Sequence, residues 1–214
     1  MADHEQLIEK LSRSAAPVKR PLKPGWRTLS WIAVALPCGI AAGLLLSRTL
    51  TDWSQPGAGW ALAQLLLTFI AGMLAVRNAF LMSIAGRAPL GWPWFVPLAA
   101  VWLVSIVSNL HRAVALHASV EGPNCYLFMV TVSVPMVAIV IAYLRRTRTL
   151  FPVRSLATAG SGVACMALTL LSLCHPTHIS MMDLLMHIAA FSTIVLATIA
   201  LGYKWVAIPP MRSR

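Results

Sequence analysis

Residues 183–205 read DLLMHIAAFSTIVLATIALGYKW. Between Asp183 and Lys204 lie about twenty residues without a formal charge, the length an α-helix needs to cross the ~30 Å hydrocarbon core of a bilayer. A helix on a soluble core would carry a polar face along this length, and none is visible. The stretch predicts a membrane-spanning helix. Residues 28–47, TLSWIAVALPCGIAAGLLLS, read the same way. Working outward from these two, six apolar runs qualify: 27–47, 60–82, 92–110, 125–144, 155–174 and 183–205. The expected fold is an all-α polytopic membrane protein with six transmembrane helices and short connections. It divides into a tail of residues 1–26, a membrane domain of residues 27–205 and a C-terminal tail of residues 206–214.

Composition agrees with that reading. The chain has 214 residues, 58% of them apolar and 11% charged, with a mean hydropathy of +0.76. Soluble domains are about 45–50% apolar and ~25% charged, so an interior of this size has no room for the excess. The net charge of +11 would point to nucleic acid in a soluble protein. Here the basic residues cluster between apolar runs, which is a topology signal, and no direct contact with nucleic acid is expected.

Counting the clusters orients the chain. Lys10, Arg13, Lys19, Arg20, Lys23 and Arg27 precede the first run. Arg77 and Arg87 flank the second connection, and Arg145, Arg146, Arg148 and Arg154 the fourth. Lys204, Arg212 and Arg214 follow the last run, which leaves only Arg48 and Arg112 on the other side. The positive-inside rule then places both termini in the cytoplasm. Seven tryptophans (Trp26, Trp31, Trp53, Trp60, Trp92, Trp94 and Trp205) lie near run ends, where interfacial aromatic residues are expected. The polar stretch before the first run is too long for the n-region of a signal peptide. Pro37, Pro97 and Pro135 fall inside runs, and Gly39 and Gly43 form a GxxxG spacing that permits close helix contact.

The tail begins with an amphipathic segment. In DHEQLIEKLSR, residues 3–13, Leu7, Ile8 and Leu11 share one helical face. Asp3 is placed to cap the helix with Gln6 three residues on, and Pro17 ends it. About eleven residues make a marginal helix in water, so the stripe needs a surface. Its acidic neighbours favour a protein groove over anionic lipid. Residues 15–24, AAPVKRPLKP, form a proline-stiffened basic linker to the membrane.

Polar chemistry gathers at the opposite side. His111 and His117 follow the third run, and Cys125 opens the fourth. Cys174, His175 and His178 close the fifth, while Asp183 and His187 open the sixth. Cys125 and Cys174 are placed to form a disulfide, to pair reversibly, or to act as soft ligands to a metal ion with His175, His178 and His187. Asp183, one turn before His187, is positioned to orient that imidazole. Cys38 and Cys165 lie deep in apolar runs and read as packing residues. Phosphate loops, HExxH and nucleophile elbows are absent from the sequence, so the chain does not read as an enzyme. The remaining redox reading is a haem- or quinone-linked bundle using His111, His117, His178 or His187.

Over essentially its whole length the order of these parts resembles the NrsF family, six-span bacterial inner-membrane anti-sigma factors. The resemblance is carried by Leu7-Ile8-x-x-Leu11, then Pro17-Val18-Lys19-Arg20-Pro21-Leu22. It continues with Leu144-Arg145-Arg146, Pro152, a Gly/Ala-rich fifth run, Cys174 and His187. Met186 stands where many members have an aromatic residue. The resemblance implies that the tail sequesters an extracytoplasmic-function sigma factor, with Leu7, Ile8 and Leu11 docking and Lys10, Arg13, Lys19 and Arg20 adding charge. It also implies that Cys125 and Cys174 are needed for the response to heavy-metal or oxidative stress.

Overall fold

The computed structural model describes residues 2–14, 22–46, 51, 53–54, 58–84, 86–115, 124–174 and 181–207, and in it the apolar stripe and most of each apolar run are helical. Among the described residues seven helices follow in order: α1 (Ala2–Ser14), α2 (Pro24–Gly43), α3 (Ala58–Met82), α4 (Trp92–Ala115), α5 (Asn124–Arg145), α6 (Pro152–Leu171) and α7 (Met181–Val206). Four of them, α3, α5, α6 and α7, are long and apolar enough to cross a membrane. Every regular element among the described residues is an α-helix, and the protein is a helical membrane protein. Lys19, Arg20, His117, His175 and His178 lie outside the described residues.

Helix α1 begins at Ala2, so the backbone of Asp3 lies in its first turn. It ends at Ser14, ahead of the residues that Pro17 would force out of helical geometry. Pro24 starts α2 at a position where a missing N–H costs nothing, and Pro152 does the same for α6. Pro37, Pro97 and Pro135 sit within α2, α4 and α5.

Helix α6 is the axis of the bundle, packed against α3 on one side and α7 on the other, while α5 joins α2 to α7. Small residues make these crossings close. A Cβ added at Gly162 would stand 2.6 Å from Val76 Cγ2 and 2.9 Å from the Val76 backbone nitrogen. Without glycine there, α3 and α6 would separate. The Gly39/Gly43 spacing is used too, because both positions face α5, with Met136 and Val132 against Gly39 and Phe128 against Gly43. Helix α4 is the outlier. It packs chiefly on α3.

One expectation about an individual residue fails. Trp31 is no interfacial tryptophan: it is fully buried in the core, on the α2 stripe that includes Arg27, Ala35 and Gly39. Its position near a run end was read as depth in the bilayer, whereas its helical face turns it inward. Asp183 is buried too. It is only 2% exposed, on the α7 stripe of Asp183, His187, Ala190, Ile194 and Thr198 that faces the bundle.

Candidate functional site

Three places carry chemistry: the tail helix, the end of the bundle where the tail attaches (the base), and the far end.

On α1, Leu7, Ile8 and Leu11 are 54%, 66% and 60% exposed. Three large apolar side chains on one face of a thirteen-residue helix thus stand in solvent. Each would contribute roughly 1.5–3 kcal/mol if buried. Arg13 closes on Glu9 at 2.7 Å, an exposed i,i+4 pair worth a few tenths of a kcal/mol. Lys10 and Arg13 are exposed beside the stripe.

The base is organised by a residue that the sequence shows only as the last basic position before the first apolar run. Arg27 is 5% exposed. Its guanidinium lies 4.6 Å over the Phe80 ring, which stacks on Tyr143. Nη1 donates to Ser83 Oγ at 3.3 Å, and Nη2 donates to the Tyr143 carbonyl at 3.0 Å and to Thr147 Oγ1 at 3.2 Å. The Tyr143 carbonyl belongs to the last turn of α5, where carbonyls lose their helical partners. The Thr147 N–H that would have served it bonds to Leu144. Arg27 therefore caps α5 while tying the start of α2 to the ends of α3 and α5.

Thr149 does the same for two other helices. Its hydroxyl donates to the Met82 carbonyl of α3 at 3.2 Å, and its N–H to the Val206 carbonyl of α7 at 3.1 Å. Ser155 of α6 adds a bond to the Ala79 carbonyl at 3.3 Å. Carbonyls near the ends of α3, α5 and α7 are thus satisfied by neighbouring elements. The sequence did contain a signal for Arg27: it continues the i, i+4, i+8 series of Trp31 and Ala35.

At the far end, Cys125 is buried in the core with Phe128 and Met129, and Cys174 is half-buried just past α6. All four cysteines are thiols in this structure. Thr51 ties the segment after α2 to the end of α6, donating N–H to the Leu173 carbonyl at 2.9 Å and its hydroxyl to the Ser172 carbonyl at 3.2 Å. His187, 9% exposed, and Asp183 are buried one turn apart on α7. His111 lies within α4, which extends past the run read from the sequence. Among the described residues, no three His, Cys, Asp or Glu side chains gather around a common point where an ion would sit.

Matched against family models, curated proteins and solved structures, the chain resembles none of them at a significant level.

What the arrangement can do follows from these contacts. A short helix displays an unburied apolar stripe, and a basic linker joins it to α2. A buried arginine near the start of α2 grips α5, and α5 runs to a buried thiol at the other end. At 1.5 Å per residue that helix is about 33 Å long, so one continuous helix joins the two ends of the bundle.

Proposed function

We propose that this protein is a membrane-anchored anti-sigma factor. It would hold an extracytoplasmic-function sigma factor at the bacterial inner membrane through its N-terminal segment and release it when thiols on the extracytoplasmic side change state. The observation that carries this reading is the exposed stripe of Leu7, Ile8 and Leu11 on α1. Such a helix is built to lie in a partner's groove, and the basic linker keeps it tethered to α2.

The reading takes all six helices of the bundle as spans, including α2 and α4, with both termini cytoplasmic. Its support is the placement of fifteen of the seventeen Lys and Arg residues on one side of such a topology. The base is then cytoplasmic, and Cys125 and Cys174 face the periplasm.

Signalling in this scheme follows α5. Metal binding or oxidation at Cys125 and Cys174 would favour a second packing of α5 against α6, in which the Arg27 cap on Tyr143 is displaced. The linker ends at Pro24, three residues before Arg27, so the presentation of α1 changes with it. Moving the partner from 99% held to 99% free takes about 5.5 kcal/mol of difference between the two states. A disulfide or a coordinated ion can supply an effect of that order.

The test is a pull-down of the full chain from solubilised membranes, with and without Leu7→Asp and Leu11→Asp. Recovery of a sigma factor with the parent and its loss with the double variant is the expected result. A sigma factor retained by the double variant, or none recovered with the parent, refutes the proposal.

A further inference from the structure

Helices α5 and α7 pack together but leave a groove between them. It holds about 370 Å³ and is open along one side, with Val134, Ala138 and Ile141 of α5 as one wall and Ala197, Leu201 and Trp205 of α7 as the other. Its hydroxyls are already engaged: Ser133 Oγ donates to the Val130 carbonyl and Thr193 Oγ1 to the Ala189 carbonyl. What remains is a hydrocarbon surface. From Thr193 to Trp205, at 1.5 Å per residue, it runs about 18 Å, close to the depth of one leaflet of a ~30 Å core.

Both walls lead to the basic end of this groove, at the base of the bundle. On α5 the series Val134, Ala138, Ile141 continues at helical spacing to Arg145, and on α7 Ala197 and Leu201 continue to Trp205. The two ends meet: the Arg145 guanidinium lies 5.5 Å from the centre of the Trp205 ring. Arg145 is exposed, and among the described residues it has neither a hydrogen-bond nor an ion-pair partner. Lys204 adjoins Trp205 in the last turn of α7. The bond from the Thr149 N–H to the Val206 carbonyl pins the turn that carries Arg146 and Arg148 against the same helix end. Against these four cations, helices α2–α7 hold one acidic residue, Asp183, in the first turn of α7 at the opposite end. The bundle helices therefore supply no counter-charge here.

Groove and charge together select the occupant. A neutral hydrocarbon would leave the guanidinium without a counter-ion, and a small soluble anion would leave the groove empty. A zwitterionic headgroup would bring its own cation into a cluster with no carboxylate to receive it. We propose that this face binds one anionic diacyl phospholipid, an acyl chain in the α5/α7 groove and the phosphate on Arg145, with Lys204 close by. Basic sites between membrane helices at a leaflet surface take such headgroups. A planar guanidinium, here backed by an aromatic ring, offers paired N–H groups to phosphate oxygens. The site stands independently of the sigma-factor reading.

The experiment is native mass spectrometry of the detergent-solubilised full chain, offered phosphatidylglycerol and phosphatidylcholine with identical acyl chains. One phosphatidylglycerol should stay bound, preferred about tenfold or more, because each basic residue near an anionic headgroup contributes roughly a fivefold effect. Arg145→Gln should cut the preference about fivefold. Arg87→Gln, which removes the same charge beyond the end of α3, should leave it unchanged. Ala138→Trp, which fills the groove from its exposed edge, should abolish retention. A measurement on the parent chain guards against misfolded variants: phosphatidylglycerol with a photoreactive acyl chain is crosslinked in nanodiscs and the labelled peptides are mapped. Label on residues 130–141 or 193–205 that unlabelled phosphatidylglycerol competes away supports the site. Label elsewhere, equal competition by phosphatidylcholine, or displacement by inorganic phosphate overturns it. So does an equal loss of preference in Arg145→Gln and Arg87→Gln, which would mark diffuse surface charge.

Discussion

Replacing Arg27 by methionine removes the charge and the hydrogen bonds while keeping much of the side-chain volume. The change leaves the Tyr143 carbonyl without its Nη2 donor, and a buried group deprived of its partner costs about 1–3 kcal/mol. The contact with the Phe80 ring adds roughly 0.5–2 kcal/mol. Ser83 and Thr147 lose less, because Thr147 Oγ1 still donates to Ser83 Oγ and Ser83 Oγ to the Phe80 carbonyl. Relief from burying a cation offsets part of the loss. The net cost is about 2–4 kcal/mol. For a chain of this size each kcal/mol shifts the midpoint by about 2–4 °C, so Arg27→Met should melt roughly 4–16 °C below the parent. The assay is thermal unfolding of detergent-solubilised full chain, followed by a dye that reacts with newly exposed thiols, since Cys125 is buried in the fold. Thr147→Val, alone and combined with Arg27→Met, completes a double-mutant cycle. The two changes should be non-additive, because they share a hydrogen bond. A midpoint within about 1 °C of the parent, or strict additivity in the cycle, would refute the capping argument.

Other outcomes follow from the same contacts. Gly162→Ala should cost about 1–3 kcal/mol, because its Cβ meets Val76 backbone. Gly59→Ala, with open space around it, should be neutral or stabilising by up to ~1 kcal/mol; equal melting of the two would contradict the α3/α6 crossing. Trp31 Nε1 is buried without a hydrogen-bond partner in the structure. Trp31→Phe should therefore destabilise by less than about 2 kcal/mol, and a loss in the 3–5 kcal/mol range of a full truncation would show that the indole N–H is satisfied. In intact membranes a maleimide should label Cys174 well before Cys125, as their burial dictates. Equal rates at native temperature would place Cys125 at the surface.

Apolar length made most of the fold legible. The runs at 60–82, 125–144 and 183–205 coincide with α3, α5 and α7 to within about two residues, since charge and proline punctuate them sharply. The α1 stripe was equally plain from its spacing. Residues whose environment comes from distant partners were misread. Arg27 and Trp31 look like boundary markers in one dimension, because a charge and an indole at a run end usually face water or headgroups. Burial comes from Ser83, Tyr143 and Thr147, some 56 to 120 positions away. The Gly39/Gly43 spacing recurs by chance in apolar helices; the facing residues on α5 show that it is used. At the far end, the thiols and histidines were found by type, but their grouping depends on chain crossings that no local pattern encodes.

The central position of α6 bears on how the chain is made. It has the lowest mean hydropathy of the four membrane-competent helices, 1.3 against 1.9 for α3, 2.4 for α5 and 2.2 for α7, and the largest buried share, 61%. A segment emerging from the ribosome is sorted into lipid by its own apolarity, before any neighbour that follows it exists. Helix α6 is thus the least apolar of these four when it is committed, and α7, one of its two main flanking helices, is synthesised after it. Until α7 arrives, one flank of α6, including Gly160 and its neighbours, is clad by lipid alone. A chain stalled or truncated in the segment between them presents a half-clothed helix to the membrane's quality-control proteases. Packing of α7 onto α6 is therefore the step that covers this flank of the nascent chain.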